Sequence, residues 1–76
     1  MPRYFFHVMD GQVTIDGEGT ELAGPDEVRR EAVRAAGEIL ANGEASSISD
    51  GHSWHMTVAD EAGKTVLTLR FKLEAY

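Results

Sequence analysis

The chain has 76 residues, of which 13 are acidic and 7 basic, giving a formal charge of −6; it has no cysteine, and 42% of it is hydrophobic. That length suits one domain over residues 1–76, and the missing cysteine excludes a disulfide framework, a thiolate zinc site and a cysteine nucleophile. No apolar run nears the roughly 18 residues of a membrane span, no secretory h-region follows Met1, and the acidic balance argues against nucleic acid, which needs clustered Lys and Arg. Alternation then opens the chain. Tyr4, Phe6 and Val8 fall on one face of a strand, and Phe5, His7 and Met9 on the other. Asp10-Gly11 is a hairpin signal, and a two-residue loop there faces Val8 with Val13, Phe6 with Ile15 and His7 with Thr14.

Asp16 to Gly24 is turn-rich, with Leu22 as its apolar anchor. A helix follows. Pro25 suits the first helical position, and Asp26 and Glu27 place negative charge at the positive end of the dipole. Gly24 and Pro25 stand where a capping side chain would otherwise sit. Val28, Ala32, Ala35, Ala36, Ile39 and Leu40 form an apolar stripe, rich in alanine, that lets the helix lie close to its support. Glu31–Arg34 and Arg34–Glu38 are favourable pairs on the solvent side. Asn42-Gly43 is the stop signal, and Glu44 to Gly51 reads as a loop.

A second alternating pair closes the chain. Trp54, Met56 and Val58 oppose His55, Thr57 and Ala59, and Leu67, Leu69 and Phe71 alternate with Thr68, Arg70 and Lys72. An even loop, such as Glu61–Lys64, pairs Val58 with Leu67. A three-residue loop with a Gly63 bulge sends Leu67 and Leu69 to the outer face instead. Burial favours the even loop. The resulting expectation is an α+β, ββαββ domain: a four-stranded antiparallel sheet of order 2-1-3-4 with one helix packed on one face. Its core takes Tyr4, Phe6, Val8, Ile15, Trp54, Met56, Val58, Leu67 and Leu69.

The opening Met1-Pro2-Arg3-Tyr4-Phe5-Phe6-His7, then Asp10-Gly11, Gly19-Thr20-Glu21-Leu22 and Asp60-Glu61-Ala62-Gly63 occur in an order that resembles a rhizobial-type family of short bacterial proteins classed as a domain of unknown function. The resemblance implies a small fold and a cytoplasmic bacterial setting, and it brings no catalytic residues. A looser likeness of architecture alone is to the partner-binding domain of HicB-type antitoxins, which implies a protein that masks a toxin.

Few residues point to chemistry. Asp16 to Glu21 lacks the carboxylate spacing of a calcium loop, and Gly17-x-Gly19 lacks the Lys and the helix start of a phosphate cradle. Ser46, Ser47, Ser49 and Ser53 lie near His52 and His55 without a rigid elbow, so no catalytic residue is assigned and the protein is read as a non-enzyme. Arg29, Arg30 and Arg34 are interleaved with glutamates and read as a solvated helix face. His7 and His55 share the face away from the helix, where with Asp16 or Asp50 they form the candidate for a metal or small ligand. The favoured surface is that same open face, with Phe5, His7, Met9, His55 and Thr57, acting in contact with a protein partner or a second copy and needing no cofactor, nucleic acid or membrane.

Overall fold

In a computed structural model, which describes residues 1–9, 13–41, 53–72, 74 and 76, the elements run β1 (Arg3–Met9), β2 (Val13–Thr14), β3 (Thr20–Glu21), α1 (Pro25–Ala41), β4 (Ser53–Ala59) and β5 (Thr65–Lys72). The expected Asp10-Gly11 turn, the Asn42-Gly43 stop, the Glu44 to Gly51 loop, Asp50 and His52 lie outside the described residues. The class is α+β, with an antiparallel sheet and one described helix. Among the described residues there are five strands, against the expected four. The main path is β2-β1-β4-β5, and β3 pairs with β1 beside β2.

The additional strand lies in the tract read as turn. β2 pairs Met9 with Val13 and Val8 with Thr14, whereas β3 pairs Arg3 with Glu21 and Tyr4 with Thr20. The two short strands therefore behave as one strand along β1, interrupted by an excursion through residues 15–19. Glycines at 17 and 19 disguise this pairing, because a two-residue strand carries no periodic signal of its own.

The first hairpin also differs in register. Three residues, 10–12, separate Met9 from its partner Val13, so the expected pairing of Val8 with Val13 is replaced by Val8 with Thr14. Side chains alternate with period two, and a slip of one residue turns the whole strand over. Val13 now shares the face of Met9, and Thr14 that of Val8. Val13 and Ile15 are 65% and 64% exposed, so Ile15 leaves the expected core.

The helix matches its sequence signals. The Val28 N–H donates to the Gly24 carbonyl at 3.0 Å, closing the first turn. Glu27 reaches back, its Oε2 accepting from the Ala23 N–H at 2.7 Å. A side chain thus does assist the cap, from the third helical position rather than before the helix. Arg34 donates to Glu31 and pairs with Glu38 at 3.0 Å, and its guanidinium holds the Glu31 carboxyl below the usual carboxylate range.

Val28, Ala32 and Ala36 are buried against Trp54, Met56 and Val58. Tyr4, Phe6, Val8, Leu22, Ala35, Ile39, Leu67, Leu69 and Phe71 pack around them. The Leu22 N–H donates to the Pro2 carbonyl at 3.0 Å, tying the chain before the helix to the start of β1. Trp54 and Phe71 are cross-strand partners with ring centroids 5.4 Å apart and planes tilted by 59°. Each fully buried side chain of this size contributes about 1.5–3 kcal/mol.

The β4–β5 hairpin combines both readings of its loop. Gly63 has φ +83° and its N–H donates to the Asp60 carbonyl at 3.0 Å, while the Asp60 N–H donates to the Lys64 carbonyl at 2.9 Å. That is the three-residue loop with a left-handed glycine. Yet Val58 still pairs with Leu67 and Met56 with Leu69, because the register shifts between Val58 and Ala59, which pairs with Thr65. Val66 is the extra residue. It absorbs the offset of the odd loop and returns Leu67, Leu69 and Phe71 to the helix side.

Candidate functional site

β1 and β4 build the centre of the sheet face opposite the helix. Phe5 faces Ala59, His7 faces Thr57 and Met9 faces His55 across the ladder. Alternation puts these six side chains on one side, because Tyr4, Phe6 and Val8 are committed to the core. Phe5, His7, Met9, His55 and Thr57 are all half-buried. On the β5 side the face continues through Thr68 and Arg70, opposite Thr57 and His55, and through Lys72 opposite Ser53. On the β2 side it ends at Val13.

Asp16 organises the β2–β3 side of this face. Its carboxylate accepts three backbone N–H groups: Phe6 at 3.1 Å, Glu18 at 3.0 Å and Gly19 at 3.1 Å. Phe6 lies where β1 has lost β2 and not yet met β3, so the carboxylate takes the place of a strand partner. The bonds to Glu18 and Gly19 form an Asx-type turn that leads the chain back to β1. Burial opposes the charge on Asp16, but these three N–H donors outweigh it and hold the carboxyl below its ordinary value. The Asp16 N–H in turn donates to His7 Nδ1 at 3.1 Å, which places the imidazole proton on Nε2.

Gly19 permits the close return of this loop. Its φ is +74°, and a Cβ there would stand 2.7 Å from Arg3 Cγ, 2.8 Å from Phe5 Cε1 and 2.9 Å from the Tyr4 carbonyl oxygen. Arg3 completes the corner, donating to the Glu18 carbonyl at 2.9 Å and pairing with Glu21 at 2.9 Å. The Arg3 N–H donates to Glu61 at 3.2 Å.

His7 and His55 thus share a face as the sequence suggests, at diagonal rather than directly opposite positions. Of the two expected third ligands, Asp16 turns its carboxylate to backbone N–H groups instead, and Asp50 lies outside the described residues. Among the described residues no cluster of three or more His, Asp or Glu side chains is placed to hold a metal ion. Asp16 as an organiser, Arg3 and the outward Val13 were missed in the sequence. The Asp-Gly-x-Gly spacing is the signal that marks the Asx turn, whereas the register of β2 leaves no signal.

On the helix side, Tyr4, Pro25, Val28, Arg29, Val66 and Leu67 line a cleft of about 180 Å³. That is below the roughly 300 Å³ at which small-molecule sites begin. No helix among the described residues is long and apolar enough to cross a membrane. A family model described as a domain of unknown function (DUF6894) matches residues 3–72, so Met1 and Pro2 fall outside the match. No curated protein and no solved structure matches the chain.

Proposed function

Since the chain belongs to the DUF6894 family, for which no activity is defined, we propose from its geometry that it is a non-enzymatic protein-contact module working through the open sheet face. The carrying observation is the pair Val13 and Ile15, 65% and 64% exposed beside the half-buried Phe5, His7 and Met9. Such a patch of apolar side chains with a polar surround is what a contact surface requires. The polar groups nearest the face support a binding role over catalysis, because the Asp16 carboxylate and His7 Nδ1 are both occupied in holding backbone N–H groups. A cytoplasmic setting in a rhizobial-type bacterium belongs to the same proposal, resting on the resemblance of its sequence blocks.

The test is a photo-crosslinking residue placed at Val13 in the native host, with Val33 on the solvent side of the helix, 57% exposed, as the control position. Crosslinks to protein from Val13 and none from Val33 support the reading. Absence of crosslinks from Val13 refutes it. A second reading, a small metal or ligand held by His7 and His55, draws on their diagonal placement on one face. Zinc titration followed by imidazole NMR resonances tests it, and unmoved signals at excess zinc remove it.

A further inference from the structure

We propose that the open face binds a second copy of this chain, in a two-fold pair whose sheets cross obliquely so that the Arg70–Lys72 corner of each lies over the Glu18–Glu21 corner of the other. This rests on the contact-surface reading above and names its partner. The charges on the face are sorted by the strand registers. Arg70 is level with His55 and hence with Met9, and Lys72 is level with Ser53, so both cations stand at one end of the β5 edge. Glu21 is level with Arg3, at the other end of the sheet on the β3 edge, and Glu18 lies in the loop just before it. Arg3 is already paired with Glu21 at 2.9 Å, and Glu18 and Glu61 leave that corner net negative. Lys72 meets Glu74 only at 3.7 Å with both side chains exposed, a contact that leaves it available.

The remaining diagonal runs from Val13, opposite Met9, to Thr65, opposite Ala59. A two-fold axis along it exchanges the two charged corners and places each on its complement. The same operation brings Phe5 of one copy toward Thr68 on β5 of the other, and sets Val13 near the axis against its own counterpart. Val13, 65% exposed in the single chain, is then covered. A stack about the axis perpendicular to the strands would instead set Arg70 and Lys72 near Lys64. The β5 edge itself is a poor alternative. It carries the Val66 bulge and the cations Lys64, Arg70 and Lys72, features that discourage strand-to-strand pairing.

Size sets the strength. Four strands about 4.8 Å apart and seven residues at about 3.3 Å rise give a face of about 440 Å². Stable interfaces bury about 800 Å² per partner, so the pair is weak and its charged corners make it salt-sensitive.

The experiment is sedimentation velocity on the full chain from about 10 µM to about 1 mM, at about 20 and about 500 mM salt. The expected result is a concentration-dependent dimer whose dissociation constant rises at least about tenfold with salt. Arg70→Glu alone and Glu18→Lys alone should each weaken it, and the two combined should restore it. Both positions are exposed, and Trp54 fluorescence checks that each variant is folded; Arg70→Gln and Glu18→Gln, which should weaken it less, replace any variant that is not. A monomer at every concentration overturns the proposal, as does a dimer indifferent to these charges or not restored by the combination. A monomer whose Val13 position still crosslinks to a different protein overturns only the second copy as partner. A monomer without Val13 crosslinks overturns the face reading too.

Discussion

Replacing Asp16 by alanine removes the acceptor for the Phe6, Glu18 and Gly19 N–H groups at once. The bond from Glu18 is exposed, so water can take that donor, whereas those from Phe6 and Gly19 are partly buried. Hydrogen bonds to a charged group contribute about 1.5–3 kcal/mol, and an unpaired buried donor costs about 1–3 kcal/mol, so the loss should be about 2–4 kcal/mol. Total stability for a chain of this length is about 4–11 kcal/mol. Urea unfolding followed by the single, fully buried Trp54 measures the difference directly. Asp16→Asn retains an acceptor without the charge and should lose less. Its deficit should also depend on pH. Because the folded state lowers the Asp16 carboxyl below 3.8, the charge stabilises the fold above that value, and the benefit is lost as pH falls through the lowered one. The gap between the native chain and Asp16→Asn should therefore be full at neutral pH and shrink below about pH 4. A change under about 0.5 kcal/mol for Asp16→Ala would refute the view that this carboxylate substitutes for a strand.

Other outcomes follow from the glycines and from Trp54. Gly19→Ala should lose about 2 kcal/mol or more, since its φ is +74° and the new Cβ meets the Tyr4 carbonyl at 2.9 Å. Gly63→Ala, with φ +83° and nothing within 4 Å, should lose only about 1 kcal/mol, and equal losses in urea unfolding would contradict the close-approach argument. Gly37→Ala lies in the helix with open space around it and should gain about 0.5–1 kcal/mol, read as a higher midpoint in the same titration. Trp54 Nε1 is buried and has no hydrogen-bond partner among the described residues. Trp54→Phe removes that orphan donor while leaving a small void, so far-UV circular dichroism should show a loss below about 1.5 kcal/mol, against about 2–5 kcal/mol for Met56→Ala.

Local chemistry determined much of this molecule. Pro25, Asp26 and the Val28–Ala32–Ala36 stripe define a helix and its buried face without reference to anything distant. Strict alternation does the same for β1, β4 and β5, and so for the shared face of Phe5, His7, Met9, His55 and Thr57. These patterns are legible because their period belongs to a single element. Register does not, since it depends on how many residues each connection absorbs. Three residues between Met9 and Val13 turned Val13 outward, and one extra residue at Val66 kept Leu67 and Leu69 inward behind an odd loop. Only tertiary structure could make Asp16 a stand-in for a strand, because the N–H of Phe6 that it satisfies is ten positions away and lacks a partner only once β2 and β3 have docked on β1.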